Sequence, residues 1–345
     1  MKRLAARPRT AVVGATGVVG RTMLDLLEER RFPASEVVAV ATARSAGRSL
    51  PFGDHSLTVR AIDPGVFDGI DLVLLDTPDD AAREWAPVAV EHGAVVVDNS
   101  AAWRMEASVP LVVPEVNPDD LEGHTGIIAS PNCTTIGVVL PLAALHRRFG
   151  LEDVVIASYQ AVSGAGRGGI EELAEQARKL SDQIESLGSA EGADAAPTGR
   201  MFPAPIAFNV IPQAGSLRDA GYTSEEWKLL HESRKILGLP ELRVTATCVR
   251  VPTVAGHGAA VHARFSEPVD VEAALEALAG APGVELAELP TALLSAGRDS
   301  SYVGRVRADL ADERSLWFFC ACDNLRKGAA LNAVQIAEHL LAYNG

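Results

Sequence analysis

The stretch Ser130-Pro131-Asn132-Cys133-Thr134-Thr135 follows a short apolar run, Gly126-Ile127-Ile128-Ala129, and this order places Cys133 at the start of a helix. A thiol there lies against backbone N–H groups with no helical partner and at the positive end of the helix dipole. Both effects favour the thiolate, which is the nucleophile. Near the N-terminus, Gly14-Ala15-Thr16-Gly17-Val18-Val19-Gly20 has the form G-x-x-G-x-x-G between an apolar strand pattern and a helical one. In that context Gly14, Thr16, Gly17, Val18, Val19 and Gly20 are candidates for holding a dinucleotide pyrophosphate against a helix N-terminus. An activated thiol together with a nicotinamide site points to oxidation or reduction through a thioester.

The elements around these residues follow from hydrophobic period. Residues 10–13, 36–42, 71–76 and 94–98 read as buried strands, and 21–30 and 80–91 as helices. This alternation predicts a parallel, doubly wound sheet of Rossmann type in the N-terminal part. After Phe149 the pattern changes to that of an α+β domain with an open mixed sheet. Strands are expected at 154–162, 242–251, 257–265 and 315–322, and one long helix at 169–187. Residues 189–205, rich in Ala, Gly and Pro, read as an irregular excursion. Thr223 with Glu226 three residues on is a capping box for a helix over 223–237. A closing helix spans 324–343. The expected division is residues 1–132 with 324–345 as the cofactor domain and 133–323 as the second domain, which the family resemblance given below implies to be catalytic and dimerising.

The end of the second strand selects the cofactor. A carboxylate there would bond the ribose 2′-hydroxyl of NAD. Val38-Ala39-Val40-Ala41-Thr42 instead runs into Ala43-Arg44-Ser45 with no acid. Arg44 and Ser45 suit a 2′-phosphate, so the predicted cofactor is NADP.

Bulk composition narrows the rest. The chain has 345 residues, 48% of them hydrophobic and 22% charged, and a net charge of −14. Such a balance argues against a nucleic-acid or anionic-membrane partner, because phosphate backbones need a concentrated basic surface. The N-terminal Met1–Arg9 is basic but lacks the apolar core of a signal peptide, and no uninterrupted apolar run reaches the roughly 18 to 20 residues of a membrane span. Four cysteines without framework spacing fit a reducing cytoplasm. Cys320 and Cys322, in an apolar strand pattern, read as core packing. No metal site is expected, since the histidines other than His257 show no ligand spacing.

Further segments carry polar groups at strand ends: Gln160 before Ser163-Gly164, Arg250 and His257 flanking a short crossing, and Glu225 with Lys228 on one helix face. With the glycine loop, Asp98-Asn99-Ser100 and Arg104, the Cys133 segment and Asp323-Asn324-Leu325-Arg326-Lys327-Gly328, these motifs closely resemble the aspartate-semialdehyde dehydrogenase family over nearly the whole length. The resemblance implies that Cys133 attacks the semialdehyde or the acyl phosphate, and that His257 is general acid and base. It implies that Gln160 orients the thioester, that Asn132 orders the nucleophile loop, and that Arg250 grips the substrate carboxylate. Glu225 would pair with the substrate ammonium, Arg104 and Lys228 would hold phosphate, and Ser163, Gly164 and Asn324 would join the cofactor site. It also implies a homodimer or dimer of dimers, with a small-molecule substrate and phosphate as partners, in the biosynthesis of lysine, threonine and methionine.

The chain departs from the family pattern at Leu74–Asp80, where many members have a Phe-Ser-Ala-Gly turn; the more acidic turn bears on how the cofactor is seated. Gly258 likewise follows His257 where a serine is frequent. Two other readings stay open at this level: an N-acetyl-glutamyl-phosphate reductase-like enzyme, and a non-catalytic NADP-binding sensor.

Overall fold

The computed structural model describes residues 4–342. The first three residues of the basic N-terminus and Tyr343, the expected end of the closing helix, lie outside the described residues. The chain divides into two compact units, one of residues 1–143, 231–241 and 325–345, the other of 144–230 and 242–324.

The first unit is built on a parallel sheet of β1 (Arg9–Val13), β2 (Glu36–Ala41), β5 (Arg60–Ala61), β6 (Leu72–Leu75), β7 (Val95–Asp98) and β8 (Ile127–Ala129), in the order β5-β2-β1-β6-β7-β8. A hairpin of β3 (Ser49–Phe52) and β4 (His55–Thr58) stands beside it. Its strands are nearly continuous apolar runs because both faces are covered. Val12, Leu72, Leu74, Val95 and Val97 face one core with Met23 and Leu26 of α1 (Val18–Glu29) and Leu331 and Val334 of the closing helix. Val13, Val73, Leu75 and Val96 face the other with Ala82 and Ala86 of α2 (Asp79–Glu91). The period of two along each strand assigns alternate residues to opposite layers.

The closing helix, expected as one element from 324, opens with a π turn at Arg326–Ala330 before the α-helical Leu331–Ala342. The wider turn carries Lys327 inward with no exposed surface. Its ammonium donates to both Glu115 carboxylate oxygens at 2.8 Å and to Gln335 at 2.7 Å. A buried cation needs such partners, and they are not neighbours in sequence.

α3 (Cys133–Phe149) leads into the second unit, whose sheet has the order β10-β9-β11-β14-β13-β12. These strands are β9 (Leu151–Gln160), β10 (Arg243–Arg250), β11 (His257–Phe265), β12 (Val284–Leu286), β13 (Ser301–Ala308) and β14 (Ser315–Cys322). β9 is parallel to β10 and antiparallel to β11, so the sheet is mixed. Its register pairs Gln160 with Arg250, and His257 with Cys322. Cys320 and Cys322 are buried, as their strand context requires.

The helix expected over 169–187 is shorter. α4 (Gly166–Leu180) gives way to a 3₁₀ stretch, Ser181–Gly188, in which Gln183 leaves helical angles and no side chain is buried. Beyond Leu180 the contact with the core falls to the partly buried Leu187, too little to hold an α-helix in place. The following excursion contains a short helix, α5 (Ala190–Asp194), and then returns to α4. There the Glu172 carboxylate accepts the Arg200 and Met201 N–H groups, the Gln176 side-chain oxygen accepts those of Ile206 and Ala207, and Phe202 and Ile206 enter the core beside Leu173.

The capping box forms at the start of α6 (Ser224–Leu237). The Thr223 hydroxyl accepts the Glu226 N–H at 3.3 Å, and Glu226 accepts the Thr223 N–H at 2.7 Å. The other Glu226 oxygen accepts the Cys248 N–H of β10 at 2.9 Å, fastening the helix start to the sheet. Thr223→Ala is expected to lose about 1 kcal/mol of stability, read by urea denaturation. Two further helices, α7 (Val271–Ala279) and α8 (Ala292–Ser295), complete the unit. Among the described residues no helix is long and apolar enough to cross a membrane.

Candidate active site

In the first unit β1 delivers the chain to Gly14, whose φ is +88°. A Cβ at Gly14 would collide with the Asp76 carbonyl oxygen, and one at Gly20 with the Gly14 carbonyl. Only glycine lets the turn close this tightly. α1 begins at Val18, inside the motif rather than after it. Its cap, Gly17, supplies no side-chain acceptor, and no acid stands in its first turn. The first N–H groups of the helix are therefore left for an anion.

A cavity of about 270 Å³ opens beside this turn, lined by Gly14, Thr16, Gly17, Arg44, Ser45 and Asp76 among others. Arg44 and Ser45 occupy a 3₁₀ turn just after β2. Among the described residues, the Thr77 hydroxyl and the Asn99 side-chain oxygen of this unit are buried without hydrogen-bond partners, while the Asn99 amide nitrogen faces the Asp76 carboxyl group. A tight glycine cradle, an uncapped helix start, an arginine and unsatisfied polar atoms together fit a phosphorylated dinucleotide.

The candidate nucleophile, Cys133, stands elsewhere in the same unit. Cys133 is the first residue of α3 and is half-buried, whereas Cys248, Cys320 and Cys322 are buried. Burial pushes the Cys248 and Cys320 thiols up to about 12, so neither is a nucleophile at neutral pH. The Asn132 side-chain oxygen accepts the Thr134 N–H at 3.0 Å and the Thr135 N–H at 3.3 Å. Two of the N–H groups that spacing alone leaves open are thus capped, while the dipole of the 17-residue helix stays directed at the sulfur.

Glu232 of α6, a residue not singled out by motif, holds this loop. Its carboxylate accepts the Asn132 N–H at 2.7 Å and pairs with Arg104 Nη1 at 3.0 Å. Arg104 also donates to the Ser130 carbonyl at 2.9 Å and the Asn99 carbonyl at 2.6 Å. Expected at a phosphate, Arg104 is here buried and joined to the loops on either side of it. The sequence signal was an acid between Leu229 and Ile236, on the stripe that α6 buries.

The second unit assembles a cluster at the paired ends of β9, β10 and β11. Arg250 donates to the Ala161 carbonyl at 2.7 Å and lies 5.8 Å over the Phe202 ring. His257 is buried, and its Nδ1 accepts the Ala161 N–H at 3.1 Å. The neutral ring therefore carries its hydrogen on Nε2, which has no hydrogen-bond partner among the described residues. Burial, and next the Arg250 charge, bring His257 down to about 3, while Glu225 acts weakly the other way. Gln160 is buried and donates to Ser158 Oγ at 3.2 Å. Glu225 and Lys228 form an ion pair at 2.7 Å. Ser163 and Asn324 bond to each other at 2.9 Å, and the Asn324 oxygen accepts the Gly256 N–H, fixing the backbone that leads into His257. Gly258 is tied to packing: a Cβ there would stand 2.7 Å from the Phe319 ring.

Gly164 gives this cluster its room. A Cβ at that position would lie 2.9 Å from Arg250 Nη1 and 3.3 Å from His257 Nε2. Gly164→Ala is expected to displace both groups and to lower kcat/KM by up to about a hundredfold, the scale of an ångström-sized misplacement. Steady-state kinetics on variant protein with an unchanged circular dichroism spectrum checks this.

With the geometry in place, known proteins can be compared. Residues 9–124 match the semialdehyde dehydrogenase NAD binding domain, and residues 142–327 the semialdehyde dehydrogenase dimerisation domain. The chain is 48% identical to the aspartate-semialdehyde dehydrogenase of Streptomyces akiyoshiensis, over 97% of this chain and 98% of that protein. It is 44% identical to that of Aquifex aeolicus, over 96% and 98%. Aspartate semialdehyde dehydrogenase II from Vibrio cholerae, solved in complex with ASA, superposes with a TM-score of 0.91 at 38% identity, covering 97% of this chain and 98% of that one. The Candida albicans enzyme, solved with NADP, gives 0.74 at 26% identity, covering 98% and 99%. A glycine cradle, a cysteine at a helix start and this breadth of likeness lead to one conclusion: the chain belongs to the aspartate-semialdehyde dehydrogenase family.

Proposed function

We propose that the chain is an NADP-dependent, phosphorylating oxidoreductase that interconverts L-aspartate 4-semialdehyde and 4-aspartyl phosphate through a thioester on Cys133, in the biosynthesis of lysine, threonine and methionine. The observation that carries this reading is the accessible Cys133 at the start of α3, set against three buried cysteines. Arg44 and Ser45 on the cofactor cavity, with no acid at the end of β2, favour a 2′-phosphate. When bound, the nicotinamide supplies or accepts the hydride.

In the biosynthetic direction the Cys133 sulfur attacks the acyl phosphate carbon; the S–C bond forms, the C–O bond breaks and phosphate leaves. Reduction of the thioester then releases the aldehyde and returns the thiolate. Arg250 takes the substrate carboxylate in its planar fork. Glu225 takes the ammonium, and its pairing with Lys228 places a cation beside it for phosphate. Gln160 orients the acyl group. Arg104 and Asn132 act on the loop that carries the sulfur. Ser163 and Asn324 fix the backbone that leads into His257.

His257 acts first as a donor. Its Nε2–H is available to the tetrahedral oxygen of the acyl group. Accepting the thiol proton at Nε2 calls for the other tautomer, whose Nδ1–H would oppose the Ala161 N–H. The general-base role implied by resemblance therefore requires that hydrogen bond to open.

The domain organisation supports a homodimer or a dimer of dimers: the second unit matches a dimerisation domain, and Val155 and Tyr159 are exposed on the outer face of β9. The function is tested by phosphate-dependent reduction of NADP with L-aspartate semialdehyde, beside NAD and N-acetyl-glutamate semialdehyde. Turnover is expected with NADP and the free amino acid. Preference for the acetylated substrate would overturn the assignment of Glu225, and cofactor binding without turnover would overturn the enzyme.

A further inference from the structure

We propose that Asp76 takes up a proton when a nicotinamide dinucleotide binds, so that the affinity of this chain for its cofactor falls as pH rises. The inference rests on the cofactor reading above and adds a titrating group to the same cavity. Asp76 follows β6 directly and lines the 270 Å³ cavity together with Gly14, Gly17 and Arg44. Its Oδ2 lies 3.8 Å from the point where a Gly17 Cβ would stand. Gly17 caps α1, so the carboxyl group sits beside the helix start to which a pyrophosphate is drawn. A binding site for a polyanion thus has a fixed acid in its wall.

The surroundings of Asp76 decide what that acid does. From β7, Asp98 faces it as a second carboxyl group. From the segment after β7 come the Asn99 amide and the Arg104 guanidinium, the latter bonded to Glu232. From α2, Asp79 adds negative charge next to Asp98 and accepts the Ala101 N–H. Arg44 lines the same cavity. Among the described residues no cation pairs with Asp76. Burial raises Asp98 to about 6 as well, against the Ser100 N–H and hydroxyl, which donate to it at 3.1 and 2.6 Å. Asp76 has the Asn99 amide beside it, and of the two carboxyl groups it is the one that lines the cavity next to the start of α1, where an arriving anion acts on it directly. Burial first, and the Asp98 charge second, already raise Asp76 to about 6.

A pyrophosphate at the start of α1 adds negative charge close to this group and raises it further. The bound state then holds more protons than the free state above about pH 6, and by linkage binding weakens as pH rises through that range. Below about pH 5 Asp76 is neutral in both states and the dependence vanishes.

The test is isothermal titration of the full chain with NADP and NAD from about pH 5.5 to pH 8.5, in two buffers of different ionisation enthalpy, with Asp76→Asn and Asp76→Ser alongside. The wild type is expected to take up about 0.5 to 1 proton per nucleotide more than the variants at pH 7, and Asp76→Asn to bind at least about tenfold tighter at pH 8. Comparison with the variants cancels the titration of the NADP 2′-phosphate. NAD, which lacks that group, gives the same answer on wild-type protein should neither variant fold. Dinucleotide binding with equal proton uptake in wild type and variants, or with none for NAD, overturns the inference alone. No dinucleotide binding even at about pH 5.5 overturns the cofactor reading and the inference with it.

Discussion

Cys133→Ser is expected to lose at least about a thousandfold in kcat with little change in stability, the scale on which removal of an acyl-transfer nucleophile acts. The substitution exchanges one atom for a slightly smaller one at a half-buried position, so packing and the Asn132 cap stay as they are. What changes is the ionisation of the nucleophile. A helix start shifts a thiol far enough to populate the thiolate, whereas an alcohol stays protonated. A second readout separates chemistry from binding: acyl phosphate should leave an aspartyl adduct on the wild-type protein, seen by mass spectrometry, and none on the variant. Iodoacetamide at neutral pH should label Cys133 well ahead of Cys248, Cys320 and Cys322, which are buried. A serine variant within tenfold of wild type, or a Cys133 spared by the reagent, would end the thioester mechanism.

The other large effect is expected at Glu232. Glu232→Ala should cost about 3–5 kcal/mol in urea or guanidinium denaturation, because it strands the Arg104 cation in a buried site. Arg104 keeps its bonds to the Ser130 and Asn99 carbonyls but loses its carboxylate, and the Asn132 N–H loses its acceptor. The consequence for activity is separate from the consequence for folding. Asn132 caps the helix that begins with Cys133, so freeing its backbone loosens the frame of the nucleophile. Glu232→Gln keeps the volume and one oxygen acceptor. It should recover part of the stability while leaving kcat depressed, since one of the two donors then faces an NH₂ group. A loss below about 1 kcal/mol for the alanine variant would mean that Arg104 finds another counter-charge, and the positioning role would fall.

Much of the site was legible from local spacing. Gly14, Gly17 and Gly20 stand where a strand turns into a helix, and the collisions that a Cβ would meet at Gly14 and Gly20 show why no other residue serves. The Thr223–Glu226 box formed as written because both partners lie within one helical turn. The position of Cys133 was equally local, given an apolar strand, a turn and a cap. Segments stabilised by distant partners were harder. The 189–205 excursion has no period of its own, and its order comes from Glu172 and Gln176 in a preceding helix. The 169–187 helix was read too long because propensity continues past Leu180 while burial does not.

The protonation states belong to the same divide. A histidine at the head of a strand is visible in sequence as a candidate acid and base. That Nδ1 of His257 accepts a backbone N–H, leaving Nε2 as donor, depends on Ala161, 96 residues away. An aspartate after β6 reads as a turn residue. Its place in the wall of the dinucleotide cavity, facing Asp98, depends on adjacent parallel strands ending at the same level.

From sequence alone came the doubly wound first sheet, the mixed second sheet, the glycine cradle, the place of Cys133 at a helix start and the family, since each is carried by residue types a few positions apart. Tertiary structure decided what Arg104, Glu232, Lys327 and Asp76 do. A buried charge is governed by the partner brought beside it and by the water taken away, and both depend on contacts between distant parts of the chain.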